Sequence, residues 1–102
     1  MNMKEINTSV AIQILPNVKD GDELIRVVDE VIAYIKSKNL KTNVGPFETT
    51  IEGNYEELME IVKECQYIAV KSGASGAMSY IKINYKPNGN LLTIDEKINK
   101  HK

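Results

Sequence analysis

The residues able to do chemistry gather in one stretch, GPFETTIEG at 45–53, which sets Phe47, Glu48, Thr49, Thr50 and Glu52 around a single aliphatic side chain, Ile51. Carboxylates there can balance a cation or receive an amino group, hydroxyls can donate or accept, and a ring can cover a flat ligand. A catalytic set is harder to assemble. The one histidine, His101, lies one residue from the end, and the one cysteine, Cys65, sits in an apolar stripe, so no serine or thiol has a base beside it. Glu48 and Glu52 alone do not specify glycosidic or metal chemistry. The expectation is a binding protein, not an enzyme.

The elements that must position these residues follow from periodicity. Residues 8–15 alternate, with Val10, Ile12 and Ile14 on one side and Ser9, Ala11, Gln13 and Leu15 on the other, before Pro16 stops the ladder. Asp20 and Glu23 read as a helix start, and Leu24, Val27, Val28, Val31, Ile32 and Ile35 recur at helical spacing, predicting a helix over about 21–38. Residues 42–53 read as two short strands broken at Gly45-Pro46, where glycine permits a tight turn or bulge and proline cannot donate to a ladder. Asn54 and Glu57 repeat the capping pattern ahead of the stripe Leu58, Ile61, Val62, Cys65, Ile68 and Ala69, which ends at Ser72-Gly73. A last strand over 78–85 leads into the turn Lys86-Pro87-Asn88-Gly89, and Thr93 with Glu96 starts a short C-terminal helix.

The order β-α-β-β-α-β predicts a single α+β domain over 1–102. It is a ferredoxin-like sandwich: a four-stranded antiparallel sheet with two helices on one face, plus the short terminal helix. The first strand then lies between the third and fourth. Val10, Ile12, Ile14, Ile51, Ile81 and Ile83 face the helices, while Gln13, Glu48, Thr50, Glu52, Tyr80, Lys82 and Asn84 share the open face with Ala11, Leu15 and Met78. Phe47 and Thr49 fall on the Ile51 side by alternation, unless a bulge at Gly45-Pro46 re-aims them. Leu15, Met78 and Tyr80 suggest that another subunit covers this face, and each polar group on it then needs a partner. On spacing alone, a Glu52–Lys82 ion pair stapling an oligomer interface ranks above a ligand site.

The runs SVAIQILP at 9–16, VIAYIKSKNL at 31–40, VGPFETTIEG at 44–53 and KINYKPNG at 82–89, followed by TIDEK at 93–97, together resemble the thiamine-binding, YkoF-like family of small ferredoxin-like domains. The likeness spans nearly the whole chain, and its specificity lies in the order and spacing of the runs. It implies a cytoplasmic homo-oligomer, a tetramer built as a dimer of dimers by sheet packing, that binds thiamine or its hydroxymethylpyrimidine portion without transforming it and needs no further cofactor. Gln13, Thr50 and Glu52 are then candidate contacts to the aminopyrimidine or thiazolium, Tyr80 or Phe47 a ring cover, Thr49 a further hydroxyl, and Lys82 the residue that holds one carboxylate in place. The alternative is a structural or regulatory oligomer sensing another small metabolite.

Composition narrows the partners. A net charge of −1, from 13 basic and 14 acidic residues scattered along 102, leaves no footprint for a polyanion, and no apolar run is long enough to span a bilayer. Neither nucleic acid nor membrane is an expected partner. RNA-recognition modules of this topology stack bases on aromatics of the central strands within a basic surface, whereas strands one and three offer only Phe47, beside Glu48 and Glu52. Acylphosphatases of this fold need an arginine-bearing cradle after strand one, but the loop here is PNVKDGDE. Met1, Met3 and His101 are assigned no role.

Overall fold

β-branched residues on alternate positions build β1 (Thr8–Pro16), the long central strand, and the computed structural model places Val10 and Ile12 fully within the core. The structure describes residues 6–88 and 91–99; Met1, Met3, Gly89 and His101 lie outside them. Asp20 caps α1 (Gly21–Ser37) by accepting from the Glu23 amide at 2.9 Å, and Val27, Val31 and Ile35 make the buried stripe. The helix ends where Asn39 takes a φ of 58°, the left-handed conformation that asparagine tolerates. α2 (Tyr55–Lys71) is capped by Asn54, buries Leu58, Ile61, Cys65 and Ala69, and ends before Gly73 at a φ of 121°.

Between the helices, β2 (Lys41–Val44) and β3 (Thr49–Gly53) form a hairpin closed by the Gly45 amide donating to the Glu48 carbonyl at 2.9 Å. A Cβ at Gly45 would come within 3.1 Å of that carbonyl, so the close approach favours glycine. β4 (Ala77–Tyr85) and the six-residue α3 (Ile94–Asn99) complete the chain. The sheet is antiparallel in the order β2-β3-β1-β4, a ferredoxin-like α+β fold with β1 between β3 and β4 as the alternation predicts.

Ile51 pairs with Val10 and is fully buried, so β3 has the expected register: Ile51 toward the helices, Thr50 and Glu52 toward the open face. One inward residue is not covered. Ile83 lies on the helix side but is 49% exposed, because β4 is an edge strand. α3 was expected only as a short terminal helix. It lies over the open face, with Lys41 of β2 pairing with Asp95 at 3.1 Å and Leu91 and Ile94 buried.

Candidate functional site

β1 outruns β3. Their pairing stops at Ile12 opposite Thr49, so Gln13, Ile14 and Leu15 have β4 on one side and no β3 partner on the other. Into the notch so left, α1 presents Leu24, Val28 and Ile32, and the hairpin turn presents Val44, Pro46 and Phe47. The result is an open cavity of about 190 Å³, mainly apolar, with Gln13, Glu48 and Thr49 as its polar members. Gln13 lines the cavity from β1, its side chain falling by alternation on the open face, and among the described residues no side-chain hydrogen bond engages its amide.

Around the sheet edge, on the open face, a shallower recess is lined by Ser9, Glu48, Thr50, Lys82, Asn84 and Lys97. Glu48 lines both spaces. The Lys82 ammonium donates to both of its oxygens, at 3.1 and 3.2 Å. The expected Glu52–Lys82 pair is therefore not formed: register sets Lys82 in the row of Ala11 and Thr50, and the carboxylate reaching that row comes from the turn, at Glu48. Glu52 belongs to the next row, opposite Ser9, where it is buried beneath α3 and its Oε2 accepts from the Ile94 amide at 2.9 Å. Neither carboxylate is without a partner.

The structure thus divides the seven residues singled out from sequence. Gln13, Phe47 and Thr49 line the cavity, Thr50 and Lys82 line the recess, and Tyr80 faces Gln13 across the β1–β4 ladder. Glu52 touches neither space. Phe47 lines the cavity from the turn and is 79% exposed, whereas Thr49 pairs with Ile12 on the helix side and is buried. No bulge turns Thr49 outward.

A family model described as thiamine-binding protein matches residues 10–102. The chain belongs to the thiamine-binding protein family. A UPF0045 protein of Clostridium perfringens is 48% identical over 94 residues, covering 92% of this chain and 96% of its own. Among solved structures, a domain of unknown function, DUF77, from Bacillus cereus superposes with a TM-score of 0.85 at 33% identity, covering 95% of this chain and 91% of that one. A proposed thiamine biosynthesis/salvage protein of Thermotoga maritima gives 0.79 at 37% identity over 94% and 99%. The thiamine-binding family is described by binding and not by a reaction.

In this member of the thiamine-binding family, the cavity wall that sequence reasoning missed is Leu24, Val28 and Ile32. Their signal was a stripe on α1 wider than the buried Val27, Val31 and Ile35 require, leaving Leu24 exposed. Cys65 lies elsewhere, inside α2's packed face, where burial pushes its thiol up to about 12 and removes it from nucleophilic chemistry at neutral pH.

Proposed function

We propose that this chain is a non-enzymatic binding protein for thiamine or its hydroxymethylpyrimidine portion, and that the pyrimidine end is what it recognises. The observation that carries this reading is the apolar cavity at the end of β1, lined by Gln13, whose side-chain amide is unengaged, and by Phe47. An aminopyrimidine offers ring-nitrogen acceptors and an amino donor, which one amide can meet with its own donor and acceptor. At about 190 Å³ the space falls below the roughly 300 Å³ where pockets for drug-sized ligands begin, so it suits one ring better than two. The commitment of Glu48 to Lys82 and of Glu52 to α3 leaves a permanent cation without a free counter-ion, which again favours the neutral ring.

Calorimetry of dialysed protein tests this directly. Hydroxymethylpyrimidine is expected to bind within about tenfold of thiamine, a difference below about 1.4 kcal/mol, and the isolated thiazole alcohol at least about a hundredfold more weakly. Each ligand should be recovered unchanged. No heat with either pyrimidine compound would overturn the reading and favour the alternative, an oligomeric module that senses another metabolite.

A further inference from the structure

Two rows of side chains cross the open face beside α3. Register sets Thr50, Ala11 and Lys82 in one row and Glu52, Ser9 and Asn84 in the next. The middle of each row is a small residue, Ala11 or Ser9, flanked by longer ones, so the face is hollow along β1. Lys97 of α3 lines the hollow as well. The recess has a volume of about 330 Å³, roughly ten times the 30 Å³ share of one water molecule.

Ser9 is the residue in it that calls for a partner. It is only 7% exposed, yet among the described residues its hydroxyl makes no hydrogen bond. Every fully enclosed side-chain nitrogen or oxygen of the described residues does have a partner, so the Ser9 hydroxyl is not sealed in and opens onto the recess. A hydroxyl drawn this far from bulk water costs stability until something meets it.

The groups around it are mostly donors. The Thr50 hydroxyl and the Asn84 amide are unengaged, and among the described residues the Lys97 ammonium has no ion-pair partner. Lys82 donates to both Glu48 oxygens and retains a third N–H. Glu48 is the recess's one carboxylate, because Glu52, although in the row of Ser9, is turned under α3 to the Ile94 amide. A cation entering here would face two ammonium groups, and an apolar ring would leave every donor unmet. An oxyanion satisfies both kinds of group at once, through charge-assisted hydrogen bonds from the lysines and neutral ones from the hydroxyls.

We propose that this recess binds the phosphate group of a small phosphate monoester, held by Lys97 and Lys82 together with the Ser9 and Thr50 hydroxyls. The volume exceeds what one tetrahedral ion fills, and the Asn84 amide offers a substituent both a donor and an acceptor. Phosphate competes with Glu48 for Lys82, so the ion pair that closes the recess in the free protein is the contact that ligand loosens. The site is separate from the apolar cavity and does not rest on the pyrimidine reading.

Titration calorimetry in a phosphate-free buffer at pH 7.5, above the phosphate's second pKa of about 6, uses phenyl phosphate, inorganic phosphate and phenol as probes. Phenyl phosphate should bind, inorganic phosphate at least about threefold more weakly, and phenol not at all. Lys97→Met should weaken phenyl phosphate about tenfold, the loss of one charge-assisted hydrogen bond. Ser9→Ala should weaken it about three- to tenfold and leave the urea midpoint unchanged, since the hydroxyl has no internal partner to orphan. Glu48→Gln, by removing the competitor for Lys82, should tighten it at least about threefold. Lys71→Met, on α2 and outside the recess, should change nothing. No heat with phenyl phosphate, no effect of Ser9→Ala, or weaker binding in Glu48→Gln would each overturn the site. So would equal losses from Lys71→Met and Lys97→Met, which would mean diffuse attraction to surface charge, and equal affinity for inorganic and phenyl phosphate would overturn the ester.

Discussion

Ile51 and Glu52 are adjacent and have opposite duties. Ile51 is fully buried against the helices, and removing its branched side chain leaves a cavity that neighbours only partly fill, so Ile51→Ala should lower stability by about 2 to 5 kcal/mol in urea denaturation. Glu52→Gln keeps an acceptor oxygen for the Ile94 amide and should cost much less. A larger loss from Glu52→Gln than from Ile51→Ala would place the register off by one. Cys65 gives a second check of burial. With its thiol near 12, iodoacetamide at pH 8 should label the folded protein roughly 1,000-fold more slowly than the urea-unfolded chain, and comparable rates would mean that α2 does not pack as described. Which residues face which layer was legible in the sequence, because strand alternation is strict and Ile51 is the only aliphatic residue in its strand. Which carboxylate Lys82 would choose was not. That pairing depends on how the Gly45–Glu48 turn aims a side chain, and alternation carries no information about turns.

At the scale of elements, α3 is the piece whose placement decides most about the site. Its six residues are too few to be stable alone, and side-chain contacts hold it: Glu52 and Glu96 accept from the Ile94 and Thr93 amides at 2.9 and 2.8 Å, and Asp95 pairs with Lys41. Glu52→Ala should leave the Ile94 amide without a partner under a buried segment, costing about 1 to 3 kcal/mol and speeding exchange of that amide. Unchanged Ile94 exchange would show that α3 is held by its apolar residues alone. Acid should act through Glu96, whose carboxyl is held below the usual range first by the Thr93 amide and then by the Thr93 hydroxyl. Because the folded value is the lower one, the stabilisation is fully present above the unfolded value near 4.5 and is lost as pH falls through the folded value. Thr93 amide exchange followed from pH 6 downward, after correction for intrinsic rates, should thus lose protection only below about 4.5. The capping pair Thr93 and Glu96 was readable as a helix start. That the helix would fold back onto the open face was not, because the contact from Glu52 to Ile94 spans 42 positions and leaves no periodic trace.

The whole molecule is a slab with extents of 43 × 34 × 20 Å, with α1 and α2 on one side of the sheet and the short α3 over part of the other. Its bare face is not uniform. Toward β2 and β3 it is roofed by α3, while at the other end Leu15 and Met78 are direct partners across the β1–β4 ladder, and Tyr80 stands beside them with all three side chains exposed. An apolar patch next to a roofed half leaves room for a second sheet to pack at about 10 Å, as aligned sheets do. This contact uses the face of the sheet and none of its edges. Met78 belongs to it through its exposed side chain. Met78→Glu should therefore break the contact. Light scattering at micromolar concentration should give a mass well above that of one chain for the unmodified protein and a smaller mass for Met78→Glu, with unchanged circular dichroism. An unchanged mass in the variant would refute packing through this patch. A single-chain mass for the unmodified protein would refute the contact itself, and would require the cavity beside Gln13 and Phe47 to bind its ligand with residues of one chain only.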